Sequence, residues 1–384
     1  MLKRLILIFI LISSVHHINA THYQFKHYDS NNGLSQNSVL SICQDHIGFM
    51  WFGTRNGLCR FDGKSFRTYR RSELPGALGN DHISAIFQGP NNELWIGTDC
   101  GLYIYSPISD SFRLLNERAN DGTTITGTVN IIVSNKKKIY IASLGQGVFV
   151  YDIASKKLVH HALKDTPAIM SMAIGDNDTV WVGCFQSGLH YTQDNFAHIL
   201  AYKDARNNYI LKDHSITGIV IKGQDLFFSS STNGLHKLHF PSRTVSSCIT
   251  SHDGKGLFAH SLLSINDNLL MMTETGLFVY NITNGSQRFY KEEATNPYSL
   301  SDDHLQTAFL DKDGGIWIGT YFGGVNYSPN MSYTFVNYFP RVDIATSLYG
   351  KRVRPIDEDR CWTYMGRNRR WRSRLPFPTN RTFS

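Results

Sequence analysis

Short runs of alternating hydrophobic and polar residues fill most of the chain, whereas the 3.6-residue spacing of an amphipathic helix is nearly absent. Alternation with a period of two predicts β-strands. One block recurs within this pattern. It consists of two apolar residues, the first usually aromatic, then Gly or a small residue, Thr or a small residue, a few variable residues, and Gly with an apolar residue. Its copies are WFGTRNGL from Trp51, WIGTDCGL from Trp95, YIASLGQGV from Tyr140, WVGCFQSGL from Trp181, FSSSTNGL from Phe228, LMMTETGL from Leu270 and WIGTYFGGV from Trp317.

These copies, called anchors below, start 41 to 47 residues apart, a period typical of one four-stranded propeller blade. An apolar strand precedes each anchor, as in SVLSICQD from Ser38, and the anchor is the second strand. The apolar run after the Gly is the third strand, and an aromatic segment such as SFRTYR from Ser65 is the fourth. The sequence therefore predicts an all-β fold, a seven-bladed β-propeller of four-stranded antiparallel blades.

The chain also begins with an extra strand of the fourth type, YQFKHY from Tyr23. In a closed ring this segment is expected to pair as the outermost strand of the blade that contains Trp317, which leaves no long sheet edge open. The apolar strand is then innermost in every blade and the aromatic strand outermost. The turns after the anchors and the connections between blades should therefore share one face, called the turn face below.

The repeated tryptophans and glycines are interpreted as structural. Trp51, Trp95, Trp181 and Trp317 occupy equivalent positions, so we expect them to pack between blades. A glycine follows each anchor turn, where a positive φ or a close backbone approach suits this residue. These glycines are Gly57, Gly101, Gly147, Gly188, Gly234, Gly276 and Gly324.

Motifs for catalysis or metal binding are lacking. The run from Asp311 to Gly314 resembles the start of a calcium loop but lacks the later ligands, so a hairpin turn is favoured. His160 and His161 fall in a fourth strand and are expected at the surface. The sixteen histidines show no metal spacing, and HExxH and GxSxG motifs are absent. We therefore expect no catalytic residue, no metal and no cofactor. The cysteines show no zinc spacing, and Cys43, Cys59 and Cys184 are predicted to be buried free thiols.

The net positive charge of the protein comes from the end of the chain. The net charge is +7, and the residues from Lys351 onward contain ten Lys or Arg against three acidic residues, which accounts for all of it. The balanced remainder gives no reason to expect nucleic-acid binding.

The first twenty residues have the layout of a secretory signal peptide. Lys3 and Arg4 precede an apolar stretch from Leu5 to Val15, and the small Ala20 offers a cleavage site. The stretch is short for a membrane span. We therefore expect residues 1–20 to be a signal peptide and the mature protein to be periplasmic.

At this point the residues resemble a known family. GLSQNSVLSICQDHIGFMWFGTRNGLCRFDGKSFRTY, from Gly33 to Tyr69, is similar to the opening of two-component regulator propeller repeats, and the resemblance extends to about Asp359. Such repeats form the periplasmic sensors of hybrid histidine kinases of gut Bacteroides and relatives. The resemblance implies two consecutive propellers, a β-sandwich, a transmembrane helix and a kinase, with homodimers in the full-length family. It also implies that the ligand is often a breakdown product of a complex polysaccharide.

The chain departs from that plan near its end. We expect a propeller over residues 21–340 and, over residues 341–384, the remnant of an eighth repeat followed by an aberrant basic tail. From Cys361 alternation is lost, Pro376 and Pro378 disfavour strands, and the segment is expected to stay outside any folded domain and to be protease-sensitive. A frameshift or truncated gene is the favoured explanation, and a genuine basic tail is the alternative. Kinase and membrane parts are then missing from this sequence.

Three functions stay open at this stage. The favoured hypothesis is a ligand sensor for an oligosaccharide or other small polar ligand, without enzymatic activity. The alternatives are a lyase of the streptogramin-lyase type, which uses a histidine with magnesium, and a protein-interaction platform. A lyase should place His and acidic groups together on the turn face, whereas a sensor should present aromatic and polar groups there. The candidate ligand-binding residues are Arg55, Asn56, Asp99, Gln146, Phe185, Gln186, Thr232, Asn233, Glu274, Tyr321 and Phe322.

Overall fold

The computed structural model describes residues 23–163 and 168–330 in full, together with the backbone of three short strands near the end of the chain. Seven four-stranded antiparallel sheets form the blades of a ring. They are numbered in chain order of their innermost strands, which are Val39–Gln44, Ile83–Gln88, Val129–Ser134, Ile169–Ile174, Ile216–Lys222, Ala259–Ile265 and Leu305–Leu310. The predicted seven-bladed propeller is confirmed.

The other strands follow the predicted order in each blade. The second strands are Met50–Thr54, Leu94–Thr98, Lys138–Ser143, Val180–Cys184, Asp225–Ser230, Asn268–Thr273 and Ile316–Thr320. The third strands are Gly57–Phe61, Gly101–Ser106, Gly147–Asp152, Gly188–Thr192, Gly234–His239, Gly276–Asn281 and Val325–Ser328. The fourth strands of blades 1 to 6 are Phe66–Tyr69, Ser111–Leu114, Leu158–His161, Leu200–Ala201, Thr244–Ile249 and Gln287–Tyr290.

Blade 7 takes its outer strand from the start of the chain, as predicted. Lys26–Tyr28 pairs antiparallel with Val325–Ser328, in the register Lys26 with Tyr327 and Tyr28 with Val325. The Tyr28 ring centroid lies 5.1 Å from that of Phe61 in blade 1. The two ends of the propeller are therefore joined by backbone pairing and by aromatic packing.

The described residues also form smaller elements in the connections around the blade strands. A hairpin of Ser251–His252 and Lys255–Gly256 precedes blade 6, and three one-turn 3-10 helices occur at Ser30–Asn32, Pro90–Asn92 and Asp176–Asp178. In all seven innermost strands the register with the second strand shifts after the first residue, as between Val39 and Ser41. This recurring bulge marks the turn-face end of each innermost strand.

Each anchor tryptophan packs against the next blade, as predicted. Ring centroids lie 4.8 Å apart for Trp51 and Tyr105 of blade 2, and 5.1 Å apart for Trp95 and Tyr151 of blade 3. Trp317 lies 5.5 Å from Phe52 of blade 1 and is 4% exposed. The hydrophobic core is thus a series of inter-blade layers, which the Trp317 layer closes between blade 7 and blade 1.

Two of these tryptophans each donate a hydrogen bond to a buried aspartate of the same blade. Asp311 Oδ1 accepts hydrogen bonds from the backbone N–H groups of Asp313 and Gly315, and Oδ2 accepts one from Trp317 Nε1 at 2.8 Å. Asp45 and Trp51 repeat the arrangement in blade 1, again at 2.8 Å. Both oxygens of the Asp311 carboxylate therefore accept hydrogen bonds from the same hairpin. This confirms the hairpin interpretation of the segment that resembled a calcium loop.

The predicted state of three cysteines is also confirmed. Cys43, Cys59 and Cys184 are free and buried. Burial raises the pKa of the Cys43 and Cys184 thiols to about 12. Both are therefore protonated at neutral pH and poorly nucleophilic.

A separate unit contains the end of the chain. Ile356–Glu358, Tyr364–Arg367 and Arg372–Arg374 form a three-stranded antiparallel sheet. The strands Tyr364–Arg367 and Arg372–Arg374 were not predicted from the sequence, because pairing of backbone groups does not require alternating apolar side chains. The expectation that the segment from Cys361 stays outside any folded domain remains a prediction. Pro376 and Pro378 follow the last strand and so do not interrupt it. The predicted protease sensitivity of this segment stays a prediction, and the predicted signal peptide lies outside the described residues.

Candidate functional site

Four of the seven anchor turns share one hydrogen-bond pattern, which explains the Thr and Gly of the repeated block. Thr54 Oγ1 donates to the Gly57 carbonyl oxygen at 2.8 Å and accepts from the Asn56 N–H at 3.0 Å. Equivalent bonds occur at Thr98, Thr273 and Thr320. All seven glycines that follow the turns have positive φ, between 67° and 132°. The repeated residues thus build a rigid turn and leave the variable residues to project from it.

The turns and the inter-blade connections meet on one face, as predicted. The Gly57 N–H donates to the Asp81 carbonyl at 2.7 Å, the Gly188 N–H to His214 at 3.0 Å, and the Gly324 N–H to Asn37 at 3.1 Å. In each case the acceptor lies on the connection that leads into the next blade. The turn face therefore consists of residues 55–56, 99–100, 144–146, 185–187, 231–233, 274–275 and 321–323 with the connections beside them.

Three of the candidate residues come together across the junction of blades 7 and 1. The Arg55 guanidinium lies 4.4 Å from the centroid of the Tyr321 ring, and the Tyr321 and Phe322 rings are 4.5 Å apart. Phe322 is 62% exposed. The His304 ring lies 5.8 Å from Phe322. We call Arg55, Tyr321 and Phe322 the aromatic group; it presents exposed aromatic surface next to a cation.

Two acidic candidates are paired with histidines that sequence analysis did not select. His82 Nδ1 lies 3.1 Å from Asp99 Oδ1, and His260 Nε2 lies 3.8 Å from Glu274 Oε1. Burial lowers the pKa of His260, and the nearby Glu274 carboxylate partly opposes this effect. Both histidines lie within one residue of the start of an innermost strand, and His304 does too. That shared position in the repeat is the sequence signal that could have identified these histidines as residues of the turn face.

Candidate Thr232 is paired in a similar way, because His214 Nδ1 lies 2.7 Å from Thr232 Oγ1. Within residues 23–163 and 168–330, three or more His, Cys, Asp or Glu side chains do not come together in a geometry that could hold a metal ion. On the turn face, histidines instead pair singly with Asp99, Glu274 and Thr232.

Other candidates are bonded within the protein. Gln146 Oε1 accepts from the N–H groups of Thr126 and Gly127, at 2.9 and 2.6 Å, and Nε2 donates to the Thr124 carbonyl at 3.0 Å. Asn56 Oδ1 accepts from Arg70 Nη1 at 2.6 Å. These amides position the connections between blades, which leaves them little capacity for a ligand.

The last candidates lie in the turns of blades 4 and 5. Phe185 is 46% exposed, whereas Gln186 has a φ of 47° and its N–H donates to Ser215 Oγ. The Asn233 N–H donates to Ser230 Oγ at 2.8 Å. Only Phe185 of these three offers a large exposed apolar surface.

A cavity of about 620 Å³ opens on the turn face between blades 3 and 4. It was not predicted, because its walls come from several separated segments of the chain. The residues lining it are Thr123, Asn130, Ala142, Ser143, Leu144, Gly145, Gln146, Gly147, His160, Ala162, Leu163, Ala168 and Ile169.

His160 forms part of this cavity, and its expected surface location was wrong. Its side chain is only 7% exposed. The ring stacks 4.4 Å from Phe149, Nδ1 lies 2.7 Å from Asp121 Oδ2, and Nε2 lies 2.6 Å from the Gln146 carbonyl. The hydrogen bond from His160 is the main cause that lowers the pKa of Asp121 to about 2. The fourth strand of this blade turns His160 inward under the anchor turn, which alternation alone did not reveal.

Comparison with known proteins identifies the repeat. Residues 33–56, 77–100 and 299–322 match the model of the two component regulator propeller. Each matched segment runs from the connection before an innermost strand to the anchor turn, in blades 1, 2 and 7. The chain contains two-component regulator propeller repeats.

Individual proteins share parts of this architecture. Histidine kinase P4 of Formosa agariphila is 48% identical over 52 residues, which is 14% of this chain and 4% of that protein. The extracellular domain of BT3049 of B. thetaiotaomicron, described as a hybrid two-component system, is 24% identical with a TM-score of 0.74. That match covers 90% of this chain and 47% of that domain. A streptogramin B lyase structure is 11% identical, with a TM-score of 0.59, over 79% of this chain and 97% of the lyase.

The chain thus spans about half of the extracellular domain that it resembles and a small part of the kinase. Among the described residues there is no helix with the length and apolar character needed to cross a membrane.

Proposed function

We propose that this propeller is the ligand-sensing part of an extracytoplasmic two-component sensor and that it binds an oligosaccharide on its turn face. The aromatic group carries the proposal. A sugar ring has an apolar face and a rim of hydroxyls, which suit an exposed aromatic surface and neighbouring hydrogen-bonding groups, respectively. Arg55, Tyr321 and Phe322 supply these elements at the junction of two blades.

Placement outside the inner membrane belongs to the same proposal. The basic and apolar start of the chain over residues 1–20 supports export. The relative whose fold is shared was studied as an extracellular domain. The kinase and membrane parts that would transmit the signal are proposed to belong to the full-length relatives of this sequence. Oligosaccharide recognition, rather than turnover, is then the contribution of this chain.

The first prediction concerns Tyr321. Calorimetric titration with plant, host and microbial glycan fragments is expected to identify a ligand with a Kd in the micromolar to millimolar range. The Tyr321→Ala substitution should weaken the affinity for that ligand about tenfold, which is about 1.4 kcal/mol of binding free energy. The variant loses one ring and the cation–π contact with Arg55.

A second cation–π pair provides a matched control. Lys203 lies 4.4 Å from the centroid of the Tyr209 ring, outside the anchor turns, and Tyr209 is 51% exposed. Tyr209→Ala should leave the affinity unchanged. Equal weakening by both substitutions would show that the aromatic group is not the binding surface.

A lyase is the second candidate, and the pairs His82 with Asp99 and His260 with Glu274 favour it. A histidine beside a carboxylate is suited to proton transfer. Mass spectrometry of the same glycan fragments after incubation, with magnesium or with a chelator, distinguishes the two functions. Product that forms only with the metal and disappears in the His260→Gln variant would establish the lyase instead of the sensor.

A further inference from the structure

Ring side chains follow one another along one sector of the turn face. Besides the aromatic group on blades 7 and 1, Phe258 lies on the connection into blade 6 and is 38% exposed. Its ring centroid lies 5.1 Å from that of His260, which stands near the start of the innermost strand of blade 6. His304 lies on the connection into blade 7, with its ring 5.8 Å from that of Phe322. Ring side chains therefore continue from the aromatic group onto blade 6.

The blade fold does not require a ring at position 258. Phe258 is the residue just before an innermost strand, and its carbonyl accepts the Glu274 N–H of the anchor turn at 3.2 Å. The His304 carbonyl accepts the Tyr321 N–H in the same way, at 2.9 Å. In blades 3, 4 and 5 the residues that make this backbone bond are Thr128, Ala168 and Ser215. Since small side chains suffice in these three blades, the exposed ring of Phe258 has no role in this bond and indicates a contact surface.

Two histidines connect Phe258 to the aromatic group and keep hydrogen-bonding capacity. His260 Nε2 lies 3.8 Å from Glu274 Oε1, and His304 Nδ1 lies 3.5 Å from Asp302 Oδ1. Both distances are longer than those of good hydrogen bonds. Burial lowers the pKa of His260, Glu274 partly opposes this effect, and the nearby His304 adds to it. His260 is therefore largely neutral at neutral pH, and a neutral imidazole both donates and accepts, as a sugar hydroxyl does.

We propose that the oligosaccharide site extends from the aromatic group across blade 7 to Phe258 on blade 6. The extension rests on the proposed function and specifies the ligand further, as a glycan chain of at least three sugar residues. One sugar residue stacks on the aromatic group, one stacks on Phe258, and the hydroxyls of a residue between them bond to His304 and His260. The surface thus uses both the apolar faces of the sugar rings and their rims of hydroxyls.

Titration with oligosaccharides of graded length tests the extension. The full chain is titrated by calorimetry with xylo-, cello-, malto- and N-acetylchito-oligosaccharides of two to six sugar residues. Phe258→Ala removes the ring on blade 6, and Phe258→Tyr is the conservative variant that keeps a ring there. Tyr209→Ala removes an exposed ring outside the anchor turns and serves as the matched control. A thermal melt of each variant checks that it is folded.

In at least one series the affinity of the unaltered protein should rise about tenfold or more from the disaccharide to the longer chains. Phe258→Ala should weaken binding of the longest chain about tenfold and of the disaccharide less than about twofold, whereas Tyr321→Ala should weaken both. Phe258→Tyr and Tyr209→Ala should bind like the unaltered protein.

Two results would overturn the extension while the proposed sensor stands. One is an affinity that stays constant with chain length, which needs no variant to be folded. The other is an equal affinity for every chain in Phe258→Ala and in the unaltered protein, because both results confine the site to blades 7 and 1. If neither these series nor the plant, host and microbial fragments bind, oligosaccharide sensing itself is contradicted together with the extension.

Discussion

Deletion of residues 21–32 is expected to lower the thermal midpoint of the propeller by on the order of 10 °C. The deletion removes Phe25, which is 2% exposed, and Tyr28, which packs on Phe61 and stacks 5.9 Å from Trp317. Burial of two large side chains is worth about 3 to 6 kcal/mol, a large part of the net stability of a domain. The loss also reopens the edge of blade 7.

Differential scanning calorimetry of the full chain and the deletion variant measures this effect. A synthetic peptide of residues 23–32 should restore part of the midpoint when added to the variant, whereas a peptide of scrambled order should not. An unchanged midpoint in the deletion variant would mean that the N-terminal strand does not close the ring.

Replacement of Trp317 by alanine should cost about 3 to 5 kcal/mol of unfolding free energy. The indole is 4% exposed, lies 4.2 Å from the Tyr327 ring and donates to Asp311. Its loss opens a void between blade 7 and blade 1 and leaves one carboxylate oxygen without its donor. Urea denaturation followed by circular dichroism gives the free energy.

A pair of phenylalanine variants separates packing from hydrogen bonding. Trp95 is 1% exposed, but Gly89 stands six residues before it, in the place of Asp311 before Trp317, and Trp95 Nε1 is buried without an acceptor in the described part of the chain. Trp317→Phe should therefore cost about 1 to 3 kcal/mol more than Trp95→Phe. Equal costs for the two variants would show that the bond to Asp311 adds nothing to stability.

The blade count and strand order could be predicted because they depend on local patterns. The seven anchors repeat an aromatic or apolar residue, Thr or a small residue, and Gly, and each of these requirements acts within a few residues. The closure by Lys26–Tyr28 followed from counting strands, since one fourth strand stood without a blade. The strands after Cys361 were missed because backbone pairing leaves no mark in the polarity pattern.

The candidate site was harder to predict for a different reason. Arg55 and Tyr321 are 266 positions apart in the chain, and only the ring brings their side chains to 4.4 Å. Variability of turn residues suggested exposure, yet Gln146 is bonded to the backbone of the preceding connection. Position in a turn therefore indicates which face a residue occupies, but not whether its polar atoms are free.

A disulfide cross-link between the two ends of the propeller tests the closed ring most directly. Lys26 and Tyr327 are paired across the two strands, and the Cα separation of such antiparallel pairs allows a disulfide. Val279 and Arg288 are the corresponding pair in blade 6 and serve as the control. Cys100, which is exposed, is replaced by Ser in every variant.

Under mild oxidation, Lys26→Cys with Tyr327→Cys should form a linked peptide in a tryptic digest as readily as Val279→Cys with Arg288→Cys. The cross-link should also raise the thermal midpoint relative to the reduced protein, because it constrains the unfolded chain. If the control pair oxidises while cysteines 26 and 327 stay reduced, the N-terminal strand does not lie in blade 7 and the account of a ring closed by its own first strand is contradicted.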